Sequence, residues 1–191
     1  MPGLIATIDT SVLVSLQSAE LLGAVSVLFD RLLVPAMVRK ELEDGGDNNR
    51  AALGAINDFA IFEHCNDYDP GLVKTLLDTR EFLREGRDQG EAEAVIQAAQ
   101  RSAKMTLIDD PLGREWAKTH SIDCHGTIWL CRQLRHTGYL SELRCYFVRM
   151  IEHGRRQPLV GMNDFLQEFG ESPISTDHYH ECMSRKRRGS E

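Results

Sequence analysis

The sequence predicts an α/β protein of three layers, a central parallel sheet between helices. Two observations carry this: short apolar runs bounded by polar residues recur along the chain, and helical stretches alternate with them. Strands joined through helices imply right-handed crossovers and a sheet covered on both faces. The length of 191 residues suits one domain plus an appendage, without repeats or low-complexity stretches.

Taken in order, LIATID (4–9) reads as the first strand, and residues 10–30 follow with helical apolar spacing through Leu13, Leu16, Leu21, Ala24 and Leu28. LLVP (32–35) is a second strand, and AMVRKELED is a helix that stops at Gly45 and Gly46. A helix over 50–58 and a third strand, FAIFEHC (59–65), come next, then helices over 70–85 and 89–103. Residues 105–108 form a strand, 112–119 a helix, 122–125 a short extended piece and 127–137 a helix; HGT (125–127) reads as a glycine turn opening that helix. Residues 139–170 leave this rhythm and read as two helices. A domain over 1–170 that includes this pair is expected, followed by a polar, flexible tail over 171–191, in which DHYHEC reads as disorder rather than a metal site.

No basic leader or long apolar segment is present, so a cytoplasmic chain with no membrane association is expected. Five cysteines without a CxxC pair argue against a disulfide framework or a zinc knuckle and for reduced, mostly buried thiols. The net charge of −7 looks wrong for a nucleic-acid protein. Its distribution is uneven, however. Acids concentrate in 41–93, whereas 132–156 carries six arginines and the tail carries SRKRR. A basic third can face an anion while an acidic part holds metal; a solvated helix face is the plainer reading of each basic stretch.

In an open parallel sheet, ligands bind at the carboxyl ends of the strands. Asp9 ends the first strand and Asp109 the strand at 105–108, so neighbouring strands would bring the two together. Glu41 falls at the edge of a helix face defined by Val38 and Leu42, and Glu91 falls in the first turn of the helix before the fourth strand. Plainer roles exist for each: Asp9 and Asp110 as helix caps, Asp88 and Glu91 as a capping box, Glu41 as a surface residue. Glu93 reads as solvent-facing. A ring of oxygen ligands without His or Cys suits Mg²⁺ or Mn²⁺, two of which can activate water for phosphodiester cleavage. The adjacent Asp109 and Asp110 make sense on that reading, since like charges side by side raise each other's pKa unless a cation offsets them.

The order IDTSVLVSL, VPAMVRKELE, DQGEAEAVIQAA, TLIDDPLGREWAK and HGTIWLCRQLRHTGYL resembles the PIN-domain family, in particular its prokaryotic VapC-like group, over residues 4–170. The resemblance implies a parallel sheet between helices and a Mg²⁺- or Mn²⁺-dependent ribonuclease, often a toxin held by an antitoxin protein. It implies an acidic metal site of Asp9, Glu41, Glu91 and Asp109 or Asp110, supported by hydrogen bonds from Thr10 or Ser11. Glu91 stands where many members place an Asp, and Asp109 is favoured over Asp110 as the principal ligand. Expected partners are an RNA substrate, held by Arg132 and Arg135 of the basic third, an antitoxin and a second copy in a homodimer. The alternative is a catalytically inactive PIN-like module that binds RNA or protein. A Mg²⁺-dependent phosphatase is disfavoured, because no Asp-x-Asp pair follows the first strand.

Overall fold

A computed structural model describes residues 3–79 and 88–188. Five strands form one all-parallel sheet: β1 (Ile5–Ile8), β2 (Arg31–Pro35), β3 (Phe62–Cys65), β4 (Met105–Leu107) and β5 (Asp123–His125), in the order β3-β2-β1-β4-β5. The chain starts in the centre, builds β2 and β3 to one side, then crosses back to add β4 and β5 on the other. The order therefore reverses between β1 and β4, where the register pairs Ile8 with Leu107 and brings the two strand ends level. At such a reversal the connections leave in opposite directions and open a crevice.

The helices are α1 (Thr10–Ser18), α2 (Ala36–Asp44), α3 (Asp47–Asp58), α4 (Pro70–Leu77), α5 (Gln89–Gln100), α6 (Pro111–Thr119), α7 (Thr127–His136), α8 (Arg144–Glu152), α9 (Leu159–Glu168) and α10 (Thr176–Arg188). The three-layer α/β expectation holds. One core joins Ile8, Leu32, Val34 and Leu107 of the sheet to Leu13, Leu16, Leu130 and Phe147 of the helices. A smaller one packs α5 against α4 and α6 through Val95, Ile96, Leu76 and Trp116. Helix α5 is buried at Gly90 and from Ala92 to Ala98, which its alanines permit by letting neighbours approach closely. Beneath it the Thr7 hydroxyl donates to the Ala94 carbonyl (2.9 Å) and pairs with the Thr106 hydroxyl (2.8 Å), locking helix to sheet.

The structure departs from the sequence reading in three places. The helix expected over 10–30 ends at Ser18: Glu20 adopts a left-handed φ of 59°, and a 3-10 turn over Gly23–Val27 follows. Leu21 and Leu22 before that turn and Val25 within it are buried, so apolar spacing persists where the helix does not. The helix expected over 70–85 ends at Leu77, and residues 80–85 lie outside the described residues. The segment expected as a flexible tail carries α10, packed on α8. Ile174 and Cys182 are buried, and Asn163 brackets Ile174 by donating to its carbonyl (3.0 Å) and accepting from its N–H (2.8 Å). A few apolar residues spaced three or four apart hold a helix that its composition would not suggest. The cysteines are free thiols, three of the five buried.

Candidate active site

Helices that connect parallel strands run back against them, so their N-termini gather at the carboxyl edge of the sheet. Unpaired N–H groups there favour acids, and the acids of this chain meet them. Asp9 caps α1, accepting from the Thr10 N–H (2.6 Å), the Ser11 N–H (3.2 Å) and the Ser11 hydroxyl. Asp110 caps α6 through the Leu112 N–H (2.8 Å). Asp109 reaches across to the start of α7, accepting from the Thr127 N–H (2.8 Å), the Thr127 hydroxyl (2.6 Å) and Gln157 Nε2 (2.8 Å). Gly126 is required for this approach, since a Cβ there would overlap both the Asp109 carboxylate and the Arg114 guanidinium.

Glu41 of α2 accepts from the Thr10 hydroxyl and the Gly90 N–H. A Cβ on Gly90 would stand 3.0 Å from Glu41 Oε1, so the glycine sets how closely α2 and α5 meet. Glu91, in the first turn of α5, completes the group. Burial raises the pKa of Asp9 toward neutrality despite the Ser11 hydrogen bond, and the charge of Glu41 adds to the rise. Burial likewise raises Glu91, helped by the charges of Asp9, Glu41 and Asp110. Glu41 is raised by burial, against the Thr10 hydrogen bond, and by Glu93 and Asp88. Asp9, Glu41 and Glu91 thus sense one another as a cluster, and Asp110 reaches it through Glu91. A cleft of about 520 Å³ is lined by Ser11, Glu91, Asp109 and Asp110 together with Arg155, Arg156 and Gln157.

Thr10 and Ser11 do hydrogen-bond to the acids. The capping box does not form: Asp88 sits at a left-handed φ of 66° and makes no side-chain cap to α5. Glu93 does not face solvent. It is 3 % exposed and accepts from the Met37 N–H of α2 (2.8 Å), from Gln89 (2.9 Å) and from the Tyr68 hydroxyl. A helix buried all round needs partners for each of its polar residues, and the small-residue pattern of α5 was the signal for this.

Arg132 and Arg135 are engaged elsewhere. Arg132 is bidentate to Glu168 (2.7 and 2.9 Å) over the Phe165 ring, and Arg135 lies 3.8 Å from Glu171 over Phe169. Arg155 and Arg156 line the cleft and form no ion pair with a described residue, while Arg114 lies 3.9 Å from Asp109. The loop that presents them is fastened from α10, where the Tyr179 hydroxyl donates to the Gln157 carbonyl (3.0 Å). A cavity of about 880 Å³ between α4, α5 and α6 is mainly apolar, and none of the candidate site acids lines it.

The matching family model, DUF3368, is that of a PIN domain and covers residues 5–171. The chain belongs to the PIN-domain family. PIN domains are generally nucleases and typically use divalent metals. No curated protein matches this chain significantly. The residues fit a hard divalent cation by donor chemistry: they are all carboxylates, and burial without a counter-charge pushes two of them toward neutrality. Among the described residues no three of these groups converge on one point, and like charges oppose such convergence unless a cation offsets them. No described helix is long and apolar enough to cross a membrane.

Proposed function

We propose that this PIN-domain protein is a Mg²⁺- or Mn²⁺-dependent endoribonuclease. The observation that carries the reading is the cluster of mutually repelling acids Asp9, Glu41 and Glu91, of which Glu91 lines, with Asp109 and Asp110, the cleft that Arg155 and Arg156 also line. Asp9, Glu41 and Glu91 would hold the metal with Asp110 or Asp109, and Thr10 and Ser11 orient the carboxylates they bond. A divalent cation bound there supplies charge neutralisation and makes water a nucleophile near neutral pH. Arg155, Arg156 and Arg114 hold the phosphodiester against the acids, the part that sequence reading gave to Arg132 and Arg135. The RNA strand is placed by these cations, and Gln157 keeps the Asp109 carboxylate turned to the cleft wall.

The likeness to the VapC-like group supports a cytoplasmic toxin, restrained by an antitoxin and assembled as a homodimer. The competing reading, a catalytically inactive RNA- or protein-binding module, draws on Asp109, whose oxygens already accept three protein hydrogen bonds. RNA cleavage in Mn²⁺ separates the two. The wild-type chain is expected to cut single-stranded RNA, EDTA to stop it, and Glu91→Gln to reduce it at least about 10²-fold, the scale of losing one preorganised electrostatic partner. Cleavage that persists in both Asp9→Asn and Glu91→Gln would end the metal-site reading. Growth arrest on expression, relieved by Asp9→Asn, tests the toxin role, and light scattering the dimer.

A further inference from the structure

Beside the acidic cleft lies a second cavity of about 360 Å³, within the size range of small-molecule sites, about 300–1,000 Å³. Asp109, Arg156 and Gln157 border both, so the two are halves of one groove. Their chemistry differs. The cleft is acidic, whereas the second cavity is lined by His125, Trp129, Phe165 and Arg114, with Arg156 shared between the two. His125 ends β5 and Trp129 lies in the first turn of α7, and their rings stack with centroids 3.9 Å apart at 9°. The pair forms one stacked aromatic slab, half-buried, and both residues line the cavity. Burial and the nearby Arg114 lower the pKa of His125, against the pull of Asp123, which favours the neutral ring.

We propose that this cavity is a nucleobase subsite: a base of single-stranded RNA adjoining the phosphate held by Arg114 and Arg156 stacks on the His125–Trp129 slab. The inference rests on the ribonuclease reading for its substrate and adds the element that chooses where the strand is cut. Single strands are recognised by exposing unstacked bases to aromatic faces while cations follow the backbone, and this groove supplies both along one wall. Gly126 joins the two functions. Lacking a side chain between His125 and Thr127, it lets both the Arg114 guanidinium and the Asp109 carboxylate lie against the backbone that follows His125. A base on the slab thereby fixes which phosphate lies before the acids.

Tryptophan fluorescence of the full chain tests this directly, because Trp116 is 5 % exposed and Trp129 is the accessible reporter. Nucleoside 5′-monophosphates are expected to quench the emission and to bind about 5- to 150-fold more tightly than ribose 5-phosphate, the span of one base–aromatic stack. Trp129→Leu should abolish that difference while ribose 5-phosphate still binds, and Trp129→Phe should retain part of it. On oligoribonucleotides, the wild type should prefer particular bases beside the cut, a preference that flattens in Trp129→Leu. Ribose 5-phosphate binding as tightly as the nucleotides would reveal a phosphate site only and overturn the proposal, as would Trp129→Leu keeping the discrimination. Nucleotide quenching in a chain that cuts no RNA would instead sink the ribonuclease reading and leave the base subsite standing.

Discussion

Glu91 and Asp109 lie on the same cleft yet differ in how their charge is satisfied. Glu91 is half-buried, senses Asp9, Glu41 and Asp110, and its pKa rises through desolvation and their charges. Asp109 is held by two donors of Thr127 and by Gln157, with Arg114 nearby. Both stand in the sequence as an acid at a helix N-terminus. Only one of them is compensated by the protein itself. The want of positive charge is therefore concentrated on the Asp9–Glu41–Glu91 side of the cleft, while Asp109 also works as a tie between β4, α7 and the α8–α9 loop.

The strongest test of this asymmetry is stability. Asp109→Ala leaves the Thr127 N–H and Gln157 without their acceptor, which costs about 2–4 kcal/mol given about 1.5–3 for a hydrogen bond to a charged group. Glu91→Gln removes a charge repelled by Asp9, Glu41 and Asp110 and is expected to leave the metal-free chain as stable or more so. Urea unfolding of both variants checks this, and equal destabilisation would erase the distinction between the two acids.

A smaller effect is read in pH. The folded-state pKa values of Asp9 and Glu91 are raised above their unfolded values, so the folded chain binds more protons than the unfolded one between the ordinary carboxylate range and neutrality. Stability of the metal-free chain therefore falls as pH rises from about 4, the unfolded carboxylate range, toward neutrality. The fall should flatten in the Asp9→Asn, Glu91→Gln double variant, and stabilisation by added Mn²⁺ should grow with pH. A melting temperature that rises over that window, with the double variant unchanged, would contradict it.

Smaller still is the effect that divides the two groups of arginines. Replacing Arg155 and Arg156 by Ala should lower the slope of log K for RNA against log salt by about 0.7 for each phosphate left without its cation. Arg132→Ala should leave the slope unchanged and cost little stability, since its ion pair with Glu168 is solvent-screened. Fluorescence anisotropy with a labelled oligoribonucleotide in EDTA, across a salt series, distinguishes them. A slope lowered by Arg132→Ala alone would return RNA binding to the basic helix.

Local pattern was enough to define the strands, their parallel class and the acids at their ends, because period, length and bounding residues are properties of neighbours along the chain. Asp9, Glu41, Glu91 and the Asp109–Asp110 pair were each visible as strand-end or first-turn residues, or at the edge of a helix face. Where local pattern was ambiguous it misled: the buried Leu21 and Leu22 extended an apparent helix, and the polar surface of α10 hid the packing of Tyr179 and Cys182. The partnering of the charges, by contrast, emerged with the folded chain. Nothing local tells that Arg132 is committed to Glu168, thirty-six residues away, or that Glu93 caps α2 from α5. Nor could it tell that Gln157 reaches Asp109 across forty-eight residues, or that His125 and Trp129 stack beside the acids. Burial and charge compensation are sums over neighbours in space, whereas the sequence reports only neighbours along the chain.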